Sequence, residues 1–173
     1  MRRAPGFFDI VTWTGNGANR TISHNLEAVP ELMIIKNRTD TNGWVVYHAS
    51  RGNTTILKLN GEDAESTSST AFNSTTPTAS VISLGDFDKT NKNTHDFVGW
   101  LWASLPGICD IGQYSGSSSA VTVDCGFAAA PRYILIKAVN RSEPWYVFDH
   151  ARGIVAGNDA YLQLDKTNAQ TPR

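Results

Sequence analysis

Two short segments carry the side chains best suited to recognising a ligand. They read Trp-Val-Val-Tyr-His-Ala-Ser-Arg-Gly from Trp44 and Trp-Tyr-Val-Phe-Asp-His-Ala-Arg-Gly from Trp145. An indole ring offers a flat face for a sugar ring, and a guanidinium donates paired hydrogen bonds. Trp44, Arg51, Trp145 and Arg152 are therefore the candidate binding residues. The alternative, which the repetition fits equally well, is a core tryptophan, an arginine bound to a carboxylate and a glycine that ends the strand at a turn.

Catalytic chemistry has weaker support in the sequence. Asp9 and Asp110 occupy matching positions, but Glu27 and Glu31 have no acidic counterparts in the second half of the chain. Glycoside hydrolysis needs a pair of carboxylates, so we expect no catalytic residues and no enzymatic activity. Asp9 and Asp110 are expected to make structural hydrogen bonds or ion pairs.

The histidines and cysteines do not form a metal-binding pattern. No HxH, HExxH or Cys/His spacing occurs around His24, His48, His95 and His150. Zinc sites in proteins use such spacings, so no metal and no cofactor is expected.

These residues sit in a chain that repeats itself. When the sequence is shifted by 101 residues, positions 5–52 align with 106–153 without a gap, and 14 of 48 positions are identical. The match resumes at an offset of 105, where Ile56–Leu59 meets Tyr161–Leu164. A period of this length is far above that of solenoid repeats, so each copy should have its own core. We expect one module over residues 5–104 and a second over 107–173.

The second module is expected to be incomplete. If residues 73–77 correspond to 168–172, no segment matches the strands expected at Val81–Leu84 and Phe97–Ala103. The chain therefore reads as a fragment of a longer protein, and another domain is expected to precede Arg3.

Short strands separated by turns dominate the pattern. The first module predicts strands at 7–14, 21–26, 32–36, 44–48, 55–59, 81–84 and 97–103, with a Ser/Thr-rich loop at 66–78 anchored by Phe72. Gly15-Asn16-Gly17 predicts a hairpin turn between the first two strands. Strands of this length and spacing predict an all-β fold of two tandem antiparallel β-sandwich modules, jelly-roll-like.

The two cysteines lie in the first predicted hairpin of the second module. A turn centred on Ser117 would place Cys109 opposite Cys125 on neighbouring strands. A disulfide would fit that geometry, but the matching residues of the first module, Phe8 and His24, show that the module folds without one. Two reduced thiols are the favoured state.

Composition excludes several classes of protein. The 173 residues carry a net charge of −1, which gives no basic field for coating nucleic acid. No apolar run reaches the roughly 20 residues of a membrane span, and Asp9 interrupts any signal-peptide core. We expect no nucleic-acid partner and no membrane insertion.

Several strings carry a resemblance to a known family. They include Arg-Ala-Pro-Gly-Phe-Phe-Asp-Ile-Val, Trp-Thr-Gly-Asn-Gly, Val-Pro-Glu-Leu-Met-Ile-Ile-Lys-Asn-Arg and, in the second half, Ala-Arg-Gly-Ile-Val-Ala-Gly-Asn-Asp-Ala-Tyr-Leu. In this order they resemble a tandemly repeated domain of marine bacteriophage virion proteins, often found in tail or fibre-like proteins. The resemblance implies a place on the phage particle and no catalytic residues.

Three functions follow as expectations. The first is a virion structural protein in a tail fibre, tail spike or adsorption appendage, made in the host cytoplasm, forming a homotrimer and contacting other virion proteins and a host surface glycan. The second is a capsid decoration or head-fibre protein. The third is a carbohydrate-binding or carbohydrate-active domain, which requires exposed aromatic rings or paired carboxylates.

Overall fold

The computed structural model describes residues 4–154 and 159–169, and these form an all-β protein in antiparallel sheets. The strands in chain order are β1 Phe8–Thr14, β2 Arg20–Ser23, β3 Leu32–Asn37, β4 Val45–His48, β5 Thr55–Lys58, β6 Ser66–Thr67, β7 Val81–Leu84, β8 Asp96–Trp102, β9 Tyr133–Lys137, β10 Trp145–Asp149 and β11 Leu162–Gln163. A 3₁₀ turn, Ala49–Arg51, and a one-turn helix, α1 Asp88–Asn91, complete the elements. No helix among the described residues is long and apolar enough to cross a bilayer.

Six strands form the main sheet, in the order β1-β8-β3-β4-β5-β6. The late strand β8 lies between β1 and β3 and pairs with seven residues of β1 and six of β3. Alternation along these strands gives the sheet two faces. We call the face that carries Trp13, Met33 and Phe97 the inner face, and the face that carries Ile34 and Trp100 the outer face.

A second sheet covers the inner face. It consists of β2 and β7, paired from Arg20↔Leu84 to Ser23↔Val81. Ile22, Ile82 and Leu84 join Trp13 and Phe97 in one buried core, and all five side chains are at most 7% exposed. The Ser/Thr-rich loop contributes Phe72 to this core, as the sequence predicts, with 1% of its surface exposed.

The predicted hairpin of the first two strands is wrong. β1 pairs with β8 and β2 pairs with β7, so Gly15-Asn16-Gly17 forms a corner between two sheets instead of a hairpin turn. The corner is held by a fully buried Asn91, whose Nδ2 donates to Asn16 Oδ1 (3.0 Å), Ala18 O (2.7 Å) and Gly85 O (2.8 Å). A Cβ at Gly15 would lie 2.1 Å from the carbonyl oxygen of Lys92, so only glycine fits there.

The third sheet repeats three strands of the main sheet. Its order is β11-β10-β9. Each of the four pairs from Leu32↔His48 to Ile35↔Val45 has its counterpart 101 residues later in β9 and β10. The two pairs of β4 with β5 recur in β10 and β11 at the offsets of 101 and 105 that the sequence alignment predicts. The duplication therefore extends to the hydrogen-bond register.

Local contacts around these strands recur as well. The Lys36 ammonium donates to Asn42 O, and the Lys137 ammonium donates to Glu143 O, at 2.6 Å in both cases. Trp44 N donates to Asn60 Oδ1 at 2.9 Å, and Trp145 N donates to the aspartate at the matching position, 165, at 3.1 Å.

The repetition ends at the first two strands of the second copy. Residues 110–132 contain no strand, and residues 112–124 are exposed. The predicted hairpin around Ser117 is therefore wrong, and Cys109 and Cys125 are free thiols that do not face each other across paired strands. The physical reason lies in the first copy, where β8 and β7 hold β1 and β2; residues 133–154 and 159–169 contain no equivalents of β7 and β8.

Two predicted correspondences lie partly outside the described residues. The four extra residues of the second copy fall in the stretch that includes 155–158, and the match of residues 73–77 to 168–172 runs beyond 169. The proposed domain before Arg3 also concerns residues that are not described.

The buried amide of Asn91 gives the first testable prediction. Replacing Asn91 with alanine removes this donor from Gly85 O, where the hydrogen bond is buried, and from Asn16 Oδ1 and Ala18 O, where it is partly buried. An unsatisfied buried group costs about 1–3 kcal/mol. We expect Asn91→Ala to lower the free energy of unfolding by about 2–4 kcal/mol, measured by urea denaturation.

Asn93, two residues further along and exposed, provides the matched control. Asn93→Ala should change stability by no more than about 0.5 kcal/mol. Equal effects of the two substitutions would show that the buried amide does not hold the corner.

Candidate functional site

The four candidate binding residues lie apart, two in each copy of the repeat. Trp44 is half-buried on the outer face of the main sheet, and Arg51 lies at the other end of β4, in the 3₁₀ turn. Trp145 is buried, with 4% of its surface exposed, and Arg152 follows β10 in the second copy. The structure does not bring the four side chains together into one platform.

Both arginines bind carboxylates of their own chain. The Arg51 Nε and Nη2 atoms donate to the two oxygens of Glu65 at 2.6 Å each. This bidentate hydrogen bonding raises the pKa of Arg51 and lowers that of Glu65. Arg152 forms an ion pair with Asp149. The glycines that follow, Gly52 and Gly153, have φ of 79° and 91°, the left-handed conformation that favours glycine.

Trp145 joins the two copies of the repeat. Its indole Nε1 donates to Lys58 O at 2.7 Å. Its ring packs with Val46 and Leu57 of the outer face, while Leu135 and Val139 add partly buried contacts. The outer face of the main sheet is therefore covered over β4 and β5 by the third sheet, and we call this contact the seam.

The outer face remains half-exposed on the other side of the seam. Trp44 stacks on Trp100 with ring centroids 5.4 Å apart and planes 17° apart. Trp102, two residues along β8 and therefore on the same face, packs against Phe8 at 5.1 Å. Trp44, Trp100 and Trp102 are each partly exposed. We call these three residues the aromatic strip.

A polar groove lies beside the aromatic strip. Thr12, Thr14, Arg38 and Asp96 line a depression of about 330 Å³ at the end of β1 and β8. Thr14 Oγ1 donates to Asp96 Oδ1 at 2.8 Å, and the Arg38 backbone N–H donates to Asp96 O at 2.7 Å. Asp96 and Trp100 are four residues apart on one strand, which places their Cα atoms about 13 Å apart. Aromatic rings beside charged and hydroxyl groups are the chemistry that binds sugars.

Asp9 makes the structural contacts that the sequence favours. Its carboxylate is buried and accepts from Ile10 N and Asn25 N, both at 2.8 Å. Its counterpart Asp110 is exposed. No group of three or more His, Cys, Asp or Glu residues in the described part of the chain could hold a metal ion.

His24 is a buried histidine that the sequence does not single out. Its Nδ1 accepts from Leu26 N at 3.3 Å and its Nε2 lies 3.1 Å from Thr78 O, so the neutral ring with the proton on Nε2 satisfies both contacts. Burial lowers the pKa of His24 below its ordinary 6.5, and the hydrogen bond with Thr78 O and the nearby Asp9 only partly oppose this. His24 is thus held neutral as a bridge between β2 and the loop before β7.

The sequence points to Trp100 and Trp102 as aromatic rings that could bind a sugar if exposed, but it gives neither the groove nor the face that they share with Trp44. The available signal was the alternation of Asp96, Val98, Trp100 and Trp102, which places all four on one face of β8. Their combination with Thr12 and Thr14 depends on the pairing of β1 with β8, a contact between residues more than 80 positions apart.

One comparison with known proteins identifies a family. The chain belongs to the family described as a domain of unknown function, DUF7483. The family model matches residues 3–172, and so spans both copies of the repeat. No curated protein and no solved structure matches the chain.

The lowered pKa of His24 predicts how stability responds to acid. Above pH 6.5 the folded and unfolded chains both hold a neutral ring, whereas below it the unfolded chain takes up the proton first. We expect the free energy of unfolding to fall as pH decreases from 7 to 5, and His24→Asn to reduce this slope. Urea denaturation at a series of pH values measures it.

The exposed His150 supplies the control for this experiment. His150→Asn should leave the slope unchanged. If His24→Asn and the wild type show parallel pH profiles, the buried neutral ring does not contribute to acid sensitivity.

Proposed function

We propose that this chain is a structural module of a bacteriophage virion, in a tail fibre, a tail spike or another adsorption appendage. The observation that carries the proposal is the repeated sheet: β3-β4-β5 and β9-β10-β11 share one register and pack on each other across the seam. A unit that packs on its own repeat builds an elongated array without a separate partner. The proposal includes no catalytic step and no cofactor.

The finer architecture in this proposal is two tandem antiparallel β-sandwich modules of jelly-roll type, over residues 5–104 and 107–173. The main sheet with β2 and β7 supplies the two layers of the first module. The matching register of the third sheet supports the same plan for the second, incomplete module.

The low charge of the chain is consistent with a protein on the outside of a phage particle. Charged residues make up 18% of the chain, against about 25% in typical globular domains. With a net charge of −1, contacts to copies of itself and to other virion proteins meet little electrostatic repulsion. The proposed assembly is a homotrimer on the virion, made in the host cytoplasm.

Purified phage particles test this proposal. We expect tryptic peptides of this chain in the mass spectrum of the particles, and native mass spectrometry of the intact protein should give a trimer. A copy number far below that of the major capsid protein indicates a tail appendage. A comparable copy number would instead support the capsid decoration role, and absence of the peptides from particles would contradict both.

A carbohydrate-binding role is the second candidate, and a separate observation favours it. The stacked pair of Trp44 and Trp100 stays partly exposed beside the groove that contains Arg38 and Asp96. A host surface glycan that stacks on the aromatic strip and bonds to the groove would give the appendage its receptor.

An array of bacterial surface polysaccharides tests the second candidate. We expect Trp44→Ala to weaken binding at least about tenfold, because half of the stacking surface is lost. Tyr114→Ala removes another exposed aromatic ring outside the aromatic strip and should leave binding within about twofold. Equal losses in both variants, or no binding by the wild type, would contradict a glycan site at the strip.

A further inference from the structure

The third sheet has an open edge where the main sheet has a strand. β3 pairs with β4 on one side and with β8 on the other. β9, its counterpart, pairs with β10, and within the described residues no strand lies on its other side. An apolar edge strand of this kind is a template for an added strand.

The same sheet has a partly exposed apolar side. Ile134, Ile136, Tyr146, Phe148 and Tyr161 project away from the seam and are all partly exposed. The residues at the same positions of the first copy are at most 5% exposed: Met33, Ile35, Val45, Tyr47 and Ile56. The strand pairing and the side-chain alternation are the same in the two sets. The difference in exposure therefore comes from the residues that pack over each set.

In the second copy, residues 114–121 face this side of the sheet and form no strand. A cavity of about 800 Å³ lies between Ile136 and Phe148 on the sheet and residues that include Tyr114 and Val121. Tyr114 is 50% exposed and Val121 47% exposed. Tyr114 matches Trp13, which in the first copy stacks on Phe97 of β8 with centroids 5.6 Å apart.

We propose that the open edge of β9 and this cavity bind an extended peptide that has the side-chain pattern of β8. The peptide runs antiparallel to β9 and continues the sheet, as β8 does along β3. Main-chain hydrogen bonds supply affinity in such strand addition, and alternate side chains supply selectivity. The partner is a polypeptide strand with a large aromatic, a small and an aliphatic residue at alternate positions.

The register of the bound strand follows from the first copy. Phe97 lies opposite Asn37, Gly99 opposite Ile35 and Leu101 opposite Met33. The same positions 101 residues later are Ala138, Ile136 and Ile134. The aromatic residue of the peptide would therefore enter the cavity beside Tyr114, the counterpart of Trp13.

A second copy of the whole chain is a poorer occupant. Its own β8 is already paired on both sides, with β1 and β3. Pairing of the β9 edges of two molecules would place Ile134 and Ile136 of each molecule side by side. It would supply no aromatic side chain to fill the cavity. The inference concerns strand binding alone and does not depend on the location of the chain in a virion.

A fluorescein-labelled peptide of residues 94–104 with appended lysines is the probe, and binding to the full chain is followed by fluorescence anisotropy. We expect saturable binding. A peptide with aspartate at the positions of Phe97 and Leu101 should bind at least about tenfold more weakly, because it loses the apolar contacts that an aromatic and an aliphatic side chain make with Ile134, Ile136 and Phe148. This comparison leaves the protein unaltered, so it cannot be confused with misfolding.

Protein variants and hydrogen exchange locate the site. Ile134→Asp should weaken binding at least about tenfold, whereas Tyr133→Asp, on the opposite side of the same strand, should stay within about twofold. Circular dichroism checks that both variants fold. Bound peptide should protect the amides of residues 133–137 and leave those of β3 unchanged.

Three results would overturn the proposal. They are equal binding of the two peptides, protection of β3 in place of β9, and a dimer of the unliganded chain that Ile134→Asp dissolves. The last result would make a second copy the occupant of the edge. Sedimentation velocity over a range of protein concentrations detects that dimer.

Discussion

The pairing of β8 between β1 and β3 is the contact on which the rest of the structure depends. It joins the first strand of the main sheet to the third, and it places Phe97 and Leu101 in the core and Trp100 on the outer face. In the second copy the described residues contain no counterpart of β8; three strands keep their register there, but residues 110–132 form no strand. Short strands of this kind gain stability mainly from packing and from neighbouring strands, more than from their own propensity.

The two faces of the main sheet have different physical roles because of this arrangement. The inner face is closed by β2 and β7 and contains most of the buried apolar side chains. Among the described residues, the outer face is covered where Trp145 packs over Val46 and Leu57, and it stays half-exposed at the aromatic strip. A tryptophan at matching positions thus serves the two copies differently. Trp145 is a buried anchor, whereas Trp44 stacks on Trp100 on the half-exposed part of the outer face.

The sequence predicts the positions of strands better than their partners. Apolar runs and turns locate β3, β4, β5, β7 and β8 within one or two residues, because side-chain alternation and glycine or asparagine turns are local properties. The Gly15-Asn16-Gly17 turn suggested a hairpin, yet the buried amide of Asn91, more than 70 residues away, fixes a corner there. The groove beside Asp96 could not be predicted, since it needs the β1–β8 pairing. The separation of the four candidate binding residues could not be predicted either, because it also depends on how the strands pair.

Because the chain is duplicated, the contacts and the burial of each residue can be compared with those of its counterpart in the other half. The two halves agree in the ammonium contacts of Lys36 and Lys137. Each of these identical lysines donates to a backbone carbonyl in the turn that follows its own strand. Where the two halves differ in burial, their neighbours differ as well, since among the described residues no counterpart of β7 or β8 accompanies the third sheet. Ile35 and Ile136 are identical, yet the first is fully buried and the second borders a cavity. Burial in this fold is therefore decided by which strands are added to a sheet whose register is already set.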